Sequence, residues 1–267
     1  MRLRLHIKFA LWLLLAGLVP LAIVGGYSLV SVKETIEHSA RQAFAALAQE
    51  MANESSRIIY GGIDSVSFLA ESPLLAADVT DVLQLENELK KTQSFHPIIK
   101  DLTLLDANGN IRASALYSFR GDWRSTSWYR QAIDGKKVFT GVHAVLYPFE
   151  VVMTTAAPIV DPVNGEISGV LVGQLNMEPL WRIFNDVLLG GEAKSILVDN
   201  NGTIVASPET EEILSVVDPA IAGLFDSREW GYAHLQQQRE ELVVYASLPA
   251  GAAGYVADWH IIINQPT

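Results

Sequence analysis

Three features of this 267-residue sequence predict an α+β protein. They are an uncharged apolar run near the N-terminus, a long helical stripe after it, and a strand–turn–strand segment that occurs twice. Together they predict an N-terminal transmembrane helix and a long stalk helix, followed by two tandem modules with antiparallel sheets. The expected boundaries are 1–33 for a cytoplasmic tip and membrane helix and 34–73 for the stalk. A membrane-distal module follows at 74–178 and a membrane-proximal module at 179–267.

The apolar run extends from Phe9 to Val32 without a charged side chain. As a helix it would span about 36 Å, enough for a hydrocarbon core of about 30 Å with some tilt. The chain has 19 basic and 30 acidic side chains and a net charge of −11. Arg2, Arg4, Lys8 and Lys33 are the only charges in the first 33 residues, so every acid lies beyond the run. A basic tip of this kind places the N-terminus in the cytoplasm and the bulk of the chain on the other side. The alternative is a cleaved signal peptide, whose apolar region is usually ~7–15 residues and ends at a small-residue site. The run is longer, and Val30-Ser31-Val32 is not an Ala-x-Ala site. The expected location is the inner (plasma) membrane, with the modules in the periplasm or outside the cell and lipid as a contact of the span.

The absence of cysteine excludes a disulfide framework, a thiolate metal site and a cysteine nucleophile. Net acidity argues against nucleic acid as a partner, since phosphate binding needs a basic surface.

After Lys33, Ile36, Ala40, Ala43, Leu47, Met51, Ile58, Ile63, Val66 and Leu69 follow steps of three and four. They predict one long helix, loosened at Gly61-Gly62 and ended before Pro73. The stripe suits either an intramolecular buried face or the seam of a homodimer through the stalk. A second helix is expected from about Thr80 to Gln93, with Thr80 as N-cap, Asp81 in the first turn and Lys90-Lys91 at the end.

From residue 100 the pattern changes to strands and turns. Leu104-Leu105-Asp106-Ala107-Asn108-Gly109-Asn110-Ile111 recurs as Leu197-Val198-Asp199-Asn200-Asn201-Gly202-Thr203-Ile204. Each copy reads as a hairpin closed by a D-x-N-G turn, where Asn and Gly accept positive φ and Asp caps the turn. Between the copies lie strand-like runs at 137–146, 149–160 and 166–177 and a helix at 179–189, with Trp181 in its core. Short helical pieces near 209–226 and strands near 231–237, 241–248 and 256–264 complete the second module.

Several segments carry a family resemblance. Asp122-Trp123-Arg124-Ser125-Thr126-Ser127-Trp128-Tyr129-Arg130-Gln131-Ala132 is similar to an arginine-containing loop that ends in Trp-Tyr-x-x-Ala. Ala157-Pro158-Ile159-Val160 and Asn164-Gly165-Glu166-Ile167-Ser168-Gly169 resemble the hairpin that follows it. Trp259-His260-Ile261-Ile262-Ile263-Asn264 resembles a last strand before a further membrane helix. In order and spacing the chain resembles a double Cache (dCache-type) sensor of bacterial signal-transduction receptors.

The resemblance implies tandem PAS-like modules and a non-enzymatic extracytoplasmic sensor of a small molecule. It also implies a second membrane helix and a cytoplasmic output: a chemotaxis signalling rod, a histidine kinase or a cyclic-dinucleotide enzyme. It places the ligand in the distal module, near Trp123, Arg124, Trp128, Tyr129, Tyr147 and Gln174. An arginine could hold a carboxylate with two parallel hydrogen bonds, and aromatic walls would exclude water. The family's amino-acid-binding version has an arginine where this chain has Thr126 and an aspartate where it has Gln174. A neutral amide cannot give an ammonium a charge-assisted bond. The expected ligand is therefore a small carboxylate or another organic solute without a primary ammonium.

No cofactor is expected. The six histidines lack metal-site spacing, no P-loop or nucleophile elbow occurs, and the D-x-N-G turns depart from a calcium loop at the sixth and twelfth positions. The rival readings are a membrane-anchored extracytoplasmic enzyme, which would gather ionisable groups in its largest pocket, and a protein-binding module with an exposed apolar patch.

Overall fold

The computed structural model describes residues 5–76, 81–116, 123–146, 149–186, 193–224, 230–236, 240–251 and 258–266. Helix α1 (Leu5–Ala70) is continuous through Gly61 and Gly62, so the expected loosening there is absent. Gly62 is instead a point of close approach: a Cβ there would lie 3.0 Å from a Leu175 methyl. The apolar run falls in the first part of α1, and most of its side chains lie outside the described residues. Among the described residues no helix is long and apolar enough to cross a membrane.

Residues 1–46 and 47–267 form two compact units. In the second, α1 buries Ala48, Met51, Ala52, Ser55, Ile59, Ile63, Val66 and Ala70. The buried stripe thus differs from the expected one: Met51, Ile63 and Val66 are in it, Ala43 is exposed, and Ile58 and Leu69 are half-buried. Small residues replace large ones because the helix lies close against both modules. Val66 packs on Gly173, while Ser56 Oγ donates to the Pro249 carbonyl at 3.1 Å.

After α2 (Pro73–Ala76), helix α3 (Val82–Phe95) starts from Asp81, whose carboxylate accepts from the Leu83 and Gln84 N–H groups. Asp81 is therefore the N-cap, and Thr80 lies outside the described residues. The helix outlasts Lys90-Lys91 by another turn, so those lysines do not complement its C-terminus.

Two five-stranded antiparallel sheets follow. The first contains β1 (Ile99–Asp106), β2 (Ile111–Ser114), β3 (Val138–Leu146), β4 (Phe149–Val160) and β5 (Ile167–Asn176), in the order β2-β1-β5-β4-β3. Helix α4 (Ser127–Ile133) covers one face, and α1 the other. The second sheet contains β6 (Lys194–Val198), β7 (Ile204–Ala206), β8 (Trp230–Gln236), β9 (Glu240–Ser247) and β10 (His260–Pro266), in the order β7-β6-β10-β9-β8. The two orders are the same, as the repeat requires. Helix α5 (Glu178–Asp186) joins the sheets, and α6 (Pro219–Ala222) packs on the second. The last strand begins at His260, later than the expected 256.

The turns explain the repeat. Asp106 Oδ1 accepts from the N–H groups of Asn108 and Asn110 at 2.9 and 2.7 Å; Asp199 Oδ1 accepts from Asn201 and Thr203 at 2.9 and 2.8 Å. Gly109 and Gly202 both have φ of 77°, a conformation that an L side chain strains.

His260 is buried in the second sheet beside Ser247, with Nδ1 and Oγ 3.0 Å apart. Burial lowers its pKa below 6.5, and the Asp258 charge only partly opposes this. Between the folded pKa and 6.5 the unfolded chain binds more protons, so stability falls as pH drops through that window. Denaturant unfolding at pH 7.5 and 5.5 is expected to show this loss, and His260→Gln should reduce it.

Candidate functional site

The face of the first sheet opposite α1 is divided along its strands. At one end the cover is apolar: Trp123, Tyr129 and Ala132 pack on Leu105, Ala156, Val170 and Val172, with Trp128, Ile133 and Val138 at the margin. Helix α4 begins at Thr126, whose Oγ1 accepts from the Tyr129 N–H at 3.3 Å and donates to the Trp123 carbonyl at 2.6 Å. The cap is thus one residue before Ser127, and Thr126 holds the helix against the preceding loop.

Trp123, Arg124 and Tyr129 converge on the β1–β2 turn. The Trp123 indole N–H donates to the Gly109 carbonyl at 2.9 Å, and the Tyr129 hydroxyl to the Ala107 carbonyl at 3.3 Å. Arg124 is exposed and lays its stem over Gly109, where a Cβ would come 2.9 Å from its Cγ. Burial raises the Tyr129 pKa, reinforced by Asp106 and opposed by Arg124. The Asp106 carboxyl is itself held low: burial would raise it, but hydrogen bonds from Asn110 and Asn108 and the Arg112 charge outweigh that. Trp128 meets Tyr129 edge to face, with centroids 6.2 Å apart.

Tyr129→Phe is expected to lower stability by about 1 kcal/mol through the lost bond to Ala107, with ligand affinity unchanged. Denaturant unfolding and calorimetric titration of the same variant check both parts. A weakened affinity would place the hydroxyl against ligand instead.

Toward the other end the same face is polar. Gln174 on β5 lies opposite Asp101 on β1 and Thr154 on β4. Gln174 is 4% exposed, Asp101 and Thr154 each 1%. Asp101 Oδ1 accepts from the Leu102 and Leu116 N–H groups at 2.8 and 3.0 Å, which fixes the carboxylate. Thr103 and Ser114 share a hydrogen bond of 2.9 Å beside it. His143 completes the patch, with Nε2 3.4 Å from Thr154 Oγ1 and Nδ1 3.3 Å from Thr140 Oγ1.

The structure therefore gathers Trp123, Arg124, Trp128 and Tyr129 at the turn end and sets Gln174 within a buried polar patch. Tyr147 lies outside the described residues. Sequence reasoning missed Asp101, Thr103, Ser114, Thr154 and His143. The available signal was the period of two: Asp101 and Thr103 alternate with Leu102 and Leu104, so polar groups line one face of a strand that is buried on both. Among the described residues no group of three or more His, Asp or Glu side chains could hold a metal.

The second sheet gives an internal control. By register, Ile196 stands where Thr103 does and Val243 where Thr154 does. Ile196 and Val243 pack with Val198, Ile204, Val217 and Ile262 under Ile221, Ala222 and Leu224. At the Thr103 and Thr154 positions the second copy is thus aliphatic, while Asn264 stands where Gln174 does and Lys194 where Asp101 does, so the second face has a cation in place of the buried carboxylate.

Comparison with known proteins agrees with this architecture. A family model described as a Cache domain matches residues 30–267. The chain belongs to the Cache domain family. It is a double Cache, and modules of this type serve as ligand-binding sensors in signal transduction and chemotaxis. The methyl-accepting chemotaxis protein McpA of Pseudomonas putida is 30% identical over 116 residues, 40% of this chain and 17% of that protein. The chain thus matches under a fifth of that receptor's length.

Among solved structures, the ligand-binding domain of the Pseudomonas aeruginosa amino acid chemoreceptor PctB, in complex with L-Arg, has a TM-score of 0.66 at 18% identity. That match covers 86% of this Cache chain and 96% of the other. The corresponding domain of PctC, in complex with GABA, gives 0.69 at 17% identity over 85% and 100%. At these identities the likeness concerns the fold.

Proposed function

We propose that this chain is the extracytoplasmic sensory region of a membrane-anchored receptor, without catalysis of its own, and that its distal module binds a small organic solute. The Phe9–Val32 run is its membrane span, residues 34–73 its stalk and the seam of a homodimer, and 74–178 and 179–267 its two modules. The output is a chemotaxis rod, a histidine kinase or a cyclic-dinucleotide enzyme.

One observation carries the ligand reading: a fixed, buried carboxylate, Asp101, directly across from Gln174. A negative charge beside neutral donors and acceptors suits a ligand with an ammonium group, which would bond to Asp101 with charge assistance while Gln174, Thr154 and His143 take its polar atoms. Trp128 and Tyr147 are the proposed aromatic wall; Trp123, Arg124 and Tyr129 support it from the turn. PctB and PctC, which share the fold, are amino acid chemoreceptors. The carboxylate expected from the sequence alone is the second reading, because Gln174 is neutral and Arg124 lies beside Tyr129 at the turn.

Calorimetric titration of the full chain in mild detergent with amino acids, primary amines and organic acids separates the two. Binding of amino acids or amines supports the first reading. Binding of organic acids alone supports the second, and binding of none overturns both.

A further inference from the structure

A cavity of about 580 Å³ lies beyond the polar patch, at the end of the same sheet face, where Asn176 and Glu150 continue the rows of Gln174 and Thr154 and the sheet meets α5 and the segment after β7. Its apolar wall is Trp181, Val151, Ile213 and Leu214. The Trp181 indole is held by its N–H, which donates to the Val205 carbonyl at 3.0 Å. Leu214 has φ of 74°, and among the described residues it alone of the non-glycines is positive. A left-handed leucine is unfavourable and persists only where its surroundings impose it, commonly at ligand sites.

The charges in the wall are unequal. Lys100 pairs with Glu150, which leaves Glu178 and Glu211, both exposed and, among the described residues, without an ion-pair partner. Burial lowers the Lys100 pKa, partly opposed by Asp101, and its ammonium is already paired with Glu150. The volume is that of a small-molecule site.

We propose that this junction cavity is a second ligand site, and that it takes an organic cation with an apolar arm. The ammonium lies between Glu178 and Glu211, and the carbon chain lies against Trp181 and Ile213. Trp181 offers a π face that attracts an alkylated ammonium, and the two carboxylates set the sign of the charge.

The test uses n-pentylammonium and pentanoate as probes of equal length and opposite charge. Titrations are made on the full chain carrying Asp101→Asn, which removes the distal charge and so separates this site from the proposed distal one. Pentylammonium is expected to bind and pentanoate not to. Adding Glu178→Gln and Glu211→Gln should weaken pentylammonium at least tenfold, with melting temperature unchanged, since both side chains are exposed. Pentylammonium should also change the indole fluorescence, and Trp181→Phe should remove that change. Absence of pentylammonium binding in the Asp101→Asn chain, or binding that the two glutamine substitutions leave intact, would overturn the proposal.

Discussion

Asp101→Asn is expected to leave the chain folded and to weaken an ammonium-bearing ligand about 2–30-fold. The asparagine keeps an oxygen where Oδ1 accepts from Leu102 and Leu116, so the backbone around the β1 start stays satisfied. What it loses is the negative charge, and a charge-assisted hydrogen bond is worth roughly 1.5–3 kcal/mol against about 1 for a neutral one. Asp101→Ala behaves differently: it strands the buried Leu102 N–H, at about 1–3 kcal/mol, and frees the part-buried Leu116 N–H, so both stability and binding fall. Paired unfolding and titration data on the two variants separate the effects. Unchanged affinity in the asparagine variant would show that the carboxylate serves only the strand, and the ligand reading would revert to an organic acid.

The second large effect concerns the contact between the stalk and the distal sheet. Gly173→Val is expected to destabilise the chain by about 2–3 kcal/mol, as overpacking of a close contact does. A Cβ at this position would lie 2.5 Å from Val66 Cγ2 and 3.2 Å from Thr155 Cγ2, so even the first added carbon displaces α1. In a chain of this size that corresponds to a fall of roughly 4–12 °C in Tm. Val66→Ala removes the opposing methyls and should recover part of the loss, a coupling that a double-mutant cycle measures. Additive losses would mean that the helix does not rest on β5 in solution.

The parts of the fold that were legible in the sequence are those set by neighbours along the chain. The D-x-N-G turns could be read because Asp106 and Asp199 cap their own backbone, and Gly109 and Gly202 take a conformation that few residues accept. The repeat then pointed to two similar modules in series, and the strand order they share is seen in the structure. The stalk stripe was only partly readable, since Ala48, Ala52 and Ser55 are buried for their small size and carry little hydropathy signal.

The site was harder. Asp101 and Gln174 meet through a strand pairing that no local pattern encodes, and Asp101 looks like the polar flank of an apolar strand. Trp123, Arg124 and Tyr129 were found by motif, yet motif alone does not distinguish a side chain that touches ligand from one that braces a turn. The structure adds that Trp123 and Tyr129 bond to the Gly109 and Ala107 carbonyls, a bracing of the turn that the motif does not reveal.

Strand β5 carries Gln174 near its end, and only Met177 separates Asn176 from helix α5, whose first N–H groups include one held by Asn176 Oδ1 at 3.0 Å. There is no slack in such a joint. An extended strand is already near its full length, so a ligand that drew Gln174 along the strand would pull the start of α5 with it. On the proposed ligand reading the two lobes are then joined by a short, stiff tie-rod, and lengthening it by two or three glycines would uncouple ligand occupancy from any movement of the second sheet.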